Sequence, residues 1–133
     1  MNPRRVLLID DNVPAAETLA MILRHWGLEV RVAFDGEEGL ATAAEFLPDL
    51  VILDIQMPEI DGYEVARQLR QRPAHAGLWI VSLSGDEIPP SLRPREASGI
   101  DHHLGKPLNL NALERILARM LPREEQEARA ARL

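Results

Sequence analysis

Five short strand-like runs punctuate the chain, at residues 6–9, 30–33, 50–53, 78–83 and 100–104. Each is too short for a helix, and polar or glycine-bearing sequence follows it, so each predicts a strand. Between the runs the apolar residues take up a helical period. Leu19, Ile22, Leu23 and Trp26 fall at i, i+3, i+4 and i+7, with Pro14 near the start and Gly27 just past the end as start and stop signals. The spacing recurs in Leu40, Ala43, Ala44 and Leu47 behind the cap pair Asp35 and Glu38, and in Leu113, Ile116, Leu117 and Met120 with Asn111 and Glu114 at cap spacing. Asp61 and Glu64 precede Val65, Ala66 and Leu69 in the same way. Strands that alternate with helices predict an α/β fold, a parallel sheet covered on both faces.

One connection breaks the rhythm. Pro89, Pro90 and Pro94 crowd the stretch between the fourth and fifth strands, and proline is tolerated in a first turn but breaks a helix interior. The expectation there is a shortened fourth helix from about Pro94 to Ala97, closed by Gly99. Pro122 ends the last helix, so residues 3–121 read as one domain and 122–133 as a charged tail or truncated linker.

The 133 residues, 46% hydrophobic and 27% charged, suffice for one core and not for two. With no cysteine, disulfide scaffolds, thiolate metal sites and cysteine nucleophiles are excluded, which fits a reducing cytoplasm. Fifteen Lys+Arg against 21 Asp+Glu leave a formal charge of -6, the wrong sign for direct binding to nucleic acid. The longest apolar runs fall far short of the ~20 residues of a membrane span, so no membrane insertion is expected.

In open α/β sheets ligands gather beyond the carboxyl ends of the strands. There the first run ends in Asp10-Asp11, the third in Asp54, the fourth in Ser84, and the fifth is followed by Lys106-Pro107. Asp10 and Asp11 also read as a helix cap beside a solvated turn carboxylate, and Ser84-Gly85 as an ordinary turn. Asp54 is harder to explain so simply, because an unpaired charge at the end of a buried strand is costly. Three carboxylates in one crevice call for protonation or a divalent cation, and oxygen ligands favour magnesium. Among the 15 basic residues Lys106 is the only lysine, a compact point charge suited to a phosphoryl oxygen.

Five segments in this order, Leu8-Ile9-Asp10-Asp11-Asn12, the stretch from Pro48 through Asp54 to Pro58, Asp61-Gly62, Leu83-Ser84-Gly85 and Gly105-Lys106-Pro107, resemble the receiver domains of bacterial response regulators, the single-domain CheY-like chemotaxis regulators among them. The resemblance implies a doubly wound, flavodoxin-like (βα)5 sheet of order 2-1-3-4-5, the order for which general accounts of this fold already cite the chemotaxis protein. It also implies a two-component receiver. Asp54 matches the phosphoacceptor, charged by a histidine kinase or histidine phosphotransfer protein. Asp10 and Asp11 match the acids that, with Asp54 and the Gln56 carbonyl, hold Mg2+. Ser84 and Lys106 match the hydroxyl and ammonium that meet the phosphoryl group, and the Lys106-Pro107 bond is expected to be cis.

Ser84 also matches a switch residue, coupled to a position where the family often carries Tyr or Phe and this chain has His103. A smaller, ionisable ring there suggests a weakly coupled switch with His103 mostly exposed. The implied domain is a phosphoacceptor and not a turnover enzyme, a monomer or weak dimer that controls an output domain or partner protein. A flavodoxin-like carrier is disfavoured because Asp10-Asp11 would repel a cradled phosphate. A haloacid dehalogenase phosphatase would place its nucleophile on the first strand with an acid two residues on, where Gln56 stands. The complete residue set argues against a degenerate, binding-only receiver.

Overall fold

A computed structural model describes residues 4–57, 62–75, 77–84 and 99–120. Strands β1 (Arg5–Ile9), β2 (Glu29–Ala33), β3 (Leu50–Asp54), β4 (Trp79–Ser84) and β5 (His102–Gly105) form one sheet in the order β2-β1-β3-β4-β5, every pair parallel. The helices are α1 (Val13–His25), α2 (Gly36–Phe46), α3 (Gly62–Gln71) and α4 (Leu110–Met120). The expected strand order 2-1-3-4-5 and all five strands are borne out, with β5 starting two residues later than its run. The shortened helix at 94–97, Asp61 and the tail at 122–133 lie outside the described residues.

Alternation along the strands sends successive side chains to opposite faces, and each face has its own helices. Leu7, Ile9, Val51, Leu53 and Ile80 meet Leu40, Ala43 and Phe46 of α2 and Val65, Ala66 and Leu69 of α3. Val6, Leu8, Ile52, Val81 and Leu83 meet Leu19, Ala20 and Leu23 of α1 and Leu113 and Ile116 of α4. All five residues of β3 are buried, as a central parallel strand requires.

The caps differ in detail from the sequence expectation. Asn12 caps α1, its Oδ1 accepting from the Ala15 amide at 3.1 Å, so Asp10 and Asp11 are not spent on capping. Asp35 caps α2 as expected, accepting from the Glu38 amide at 2.7 Å, while the Glu38 carboxylate accepts from the Phe34 amide at 3.2 Å. On α2 the inward stripe runs through Gly39, Leu40, Ala43 and Phe46, whereas Leu47 is exposed and its φ of 52° ends the helix. Asn109, not Asn111, caps α4 through the Ala112 amide at 3.1 Å. Gly27, at φ 90°, supplies the left-handed turn that follows α1.

Candidate functional site

The sheet order puts β1 and β3 side by side with β4 next, so their carboxyl ends share one crevice. Asp10 follows β1 and is 7% exposed, Asp54 closes β3 at 3%, and Asp11 is exposed at the rim. One carboxylate oxygen from each of the three lies within 4.8 Å of the others. The Lys106 ammonium reaches in from the loop after β5, with Nζ 3.3 Å from Asp54 Oδ2. Three carboxylates therefore face one ammonium.

Local geometry aims each group. The Asn12 amide donates to Asp10 Oδ1 at 2.9 Å and the Gln56 amide to Asp54 Oδ1 at 3.0 Å, so each carboxylate is oriented by the backbone two residues on. Gly62 opens α3 against the acceptor strand, where a Cβ would lie 2.7 Å from the Asp54 carbonyl oxygen and 2.7 Å from Ile55 Cα. Only glycine permits that approach. The Lys106 amide donates to the Ser84 carbonyl at 2.9 Å, tying the lysine loop to the end of β4, and the Lys106-Pro107 bond is cis as expected.

Electrostatically the cluster is strained by its own charge. Burial raises the pKa of Asp10; the Asn12 amide and Lys106 oppose this, while the neighbouring Asp54 carboxylate reinforces it by repulsion and by sharing a hydrogen bond. The donor set, oxygen-only and under-neutralised, suits a hard divalent cation. Asp10, Asp11 and Asp54 are grouped closely enough to hold one.

Ser84 is half-buried at the end of β4, one residue past Leu83, the register partner of Asp54. His103 departs from expectation. It is half-buried instead of mostly exposed, because register sets it beside the fully buried Ser82 on the face covered by α3. Its Nδ1 is hydrogen-bonded to the Ser82 hydroxyl, and its ring lies 6.4 Å from that of Tyr63. Ser82 passed unnoticed in the sequence; its cue was a hydroxyl inside an otherwise apolar run.

A family model, the response regulator receiver domain, matches residues 6–118. The chain belongs to that family. It is 38% identical over 118 residues to the response regulator MprA of Mycolicibacterium vanbaalenii, covering 89% of this chain and 49% of that one. It is 34% identical over 126 residues to the DNA-binding response regulator MtrA of Mycolicibacterium smegmatis, covering 94% and 54%. The chain thus spans about half the length of these curated relatives. Among solved structures, the chemotaxis protein CheY4 of Vibrio cholerae superposes with a TM-score of 0.83 at 30% identity, covering 90% of this chain and 99% of that one. The response regulator TrrA of Thermotoga maritima, solved in complex with Mg2+ and BeF, gives 0.78 at 32% identity, covering 89% and 99%. Receiver domains are phosphoacceptor signalling modules of two-component systems, and their acidic cluster binds Mg2+. Among the described residues no helix is long and apolar enough to cross a membrane.

Proposed function

We propose that Asp54 is the phosphoacceptor, taking a phosphoryl group from the phosphohistidine of a histidine kinase or histidine phosphotransfer protein. The observation that carries this reading is a 3%-exposed carboxylate held by a backbone amide, with an ammonium at 3.3 Å and two further carboxylates beside it. An Asp54 carboxylate oxygen attacks phosphorus, the N–P bond breaks, and the imidazole departs as the leaving group. No general base is needed, because the nucleophile is a carboxylate that enters the reaction without losing a proton. The Lys106 ammonium pairs with the incoming phosphoryl oxygens, and the Ser84 hydroxyl donates to them. Asp11, Asp54 and the Gln56 carbonyl, with Asp10 beside them, would hold Mg2+, which would supply charge neutralisation on those oxygens. Positioning and electrostatics do the rest.

The receiver spans residues 3–121, with 122–133 as tail or linker, and works in the cytoplasm as a monomer or weak dimer. Its phosphorylated form is read by an output domain or a partner protein, with Ser84 and His103 as the switch. The charge of -6 argues against this segment itself contacting nucleic acid. The test is intact-mass measurement after treatment with acetyl phosphate and Mg2+. One added phosphoryl group, lost on chelation and without continued turnover, is the expected result; label that persists in Asp54→Asn overturns the assignment. Mg2+ should also raise the melting temperature of the chain and leave Asp11→Asn unmoved.

A further inference from the structure

A second concave site lies at the opposite end of the sheet. Beside the amino ends of β1, β3 and β4, between the end of α1 and the last turns of α4, is an open cavity of about 110 Å³. Trp26, Trp79, Leu117 and Met120 wall it, so both tryptophans of the chain line one small space. Its charged groups are unequal. Asp49 is compensated, accepting from the Arg5 amide at 2.9 Å and lying 3.7 Å from the Arg4 guanidinium. Glu114, solvent-exposed at the rim of the lining, makes no ion pair among the described residues.

We propose that this cavity binds a small organic cation with a single ring, an arylalkylammonium, its ring among the apolar walls and its ammonium at Glu114. Three features select that chemistry. The volume admits one ring, being of the order of the ~150 Å³ engineered cavity that takes up benzene. Indole is the best side-chain surface for an organic cation. The lining carries two carboxylates, Asp49 and Glu114, against one guanidinium, Arg4, so its net charge is negative and favours a cation. A mostly apolar pocket with one polar group to fix orientation is the usual design of a small-molecule site. The proposal is independent of the chemistry at Asp54, since the two sites occupy opposite ends of the strands.

The site reports on itself, because every tryptophan in the chain belongs to it. Titrating the full chain with benzylammonium should produce a saturable change in tryptophan emission, with a midpoint of about 1 mM for a ligand this small. Benzyl alcohol, with the ring but no charge, should bind about tenfold more weakly, and Glu114→Gln should weaken benzylammonium by a similar factor. The same midpoint for the alcohol or for the variant overturns the assignment of Glu114 and with it the ligand class. A change that never saturates overturns the site. Emission that shifts on dilution without ligand overturns it too, since a second copy would then be the occupant.

Discussion

The two ends of the sheet handle negative charge in opposite ways. At the amino end Asp49 and Asp101 are each met by a backbone amide and an arginine. Asp101 Oδ2 accepts from the Ile80 amide at 2.8 Å and from Arg70 at 3.0 Å, and Arg70 goes on to bond the Leu78 carbonyl at 2.7 Å and the Gly99 carbonyl at 2.8 Å. Asp49 is matched by the Arg5 amide and Arg4. At the carboxyl end Asp10, Asp11 and Asp54 crowd within 4.8 Å and one ammonium answers them. The first arrangement is a clamp that lowers the free energy of the fold. The second leaves repulsion unrelieved, which a cation and an incoming phosphoryl group alter, so the end built for chemistry is the one that sacrifices stability.

The largest effect expected from breaking this contrast is at the carboxyl end. Asp54→Asn keeps the shape and the hydrogen bond from the Gln56 amide, yet should lose phosphoryl uptake entirely while remaining folded. Circular dichroism and intact mass check both halves. An Asp54→Asn chain that failed to fold would mean the carboxylate is structural, and the contrast between the ends would fail.

Next in size is the clamp. Arg70→Ala removes three charge-assisted hydrogen bonds and leaves Asp101 only the Ile80 amide as a described partner, and should cost about 2–3 kcal/mol in urea unfolding. Phosphorylation of the folded fraction should be unchanged. A variant of normal stability with impaired phosphorylation would reverse the roles assigned to the two ends.

The strand runs, their order and the acidic crevice were legible because burial on both faces writes itself as short apolar runs, and because Asp54 directly after 50–53 has no cheap structural explanation. What escaped notice depends on three-dimensional neighbours. Nothing local distinguishes Asn109 from Asn111 as the cap of α4, and both carry the right side chain. The place of His103 is set by its register partner Ser82, 21 residues away, which periodicity cannot read. Trp26 read as part of a helix's apolar stripe and Trp79 fell within the 78–83 run, and only the fold brings the two indoles to one cavity.

A smaller effect of opposite sign is expected at Asp10. Its carboxyl has a pKa raised above the 3.8 of an ordinary aspartate, so the folded state holds this proton more tightly than the unfolded chain does. The stability it contributes is complete below that value and is lost as pH rises through the folded pKa. Asp10→Asn mimics the protonated form and should stabilise the metal-free chain at pH 7 by about 0.5–2 kcal/mol, the usual yield of relieving an unfavourable charge. The gain should shrink on acidification toward pH ~4. A gain that stayed constant with pH would remove the charge explanation.

The smallest effect belongs to His75, in the 3-10 turn Pro73–His75 after α3, and it runs the other way in pH. The residue is 2% exposed, its Nε2 has no hydrogen-bond partner among the described residues, and burial, helped by the Arg72 charge, lowers its pKa below the 6.5 of a free histidine. The imidazole is therefore kept neutral in the fold. Its contribution is whole above 6.5 and is lost as pH falls through that value toward the folded pKa, because the unfolded chain takes up the proton first. Acidification from pH ~7 to ~5 thus weakens the amino end while beginning to relieve the carboxyl end. His75→Leu, which cannot titrate, should lose less stability than the parent over that interval in urea midpoints taken at the two pH values. The two sites sit at opposite ends of strands about 16 Å long, so Asp10→Asn with His75→Leu should show the sum of the single changes. A parent and His75→Leu chain that lost equal stability would place the titrating group elsewhere, and coupling between the two substitutions would show that the ends of the sheet are not energetically separate.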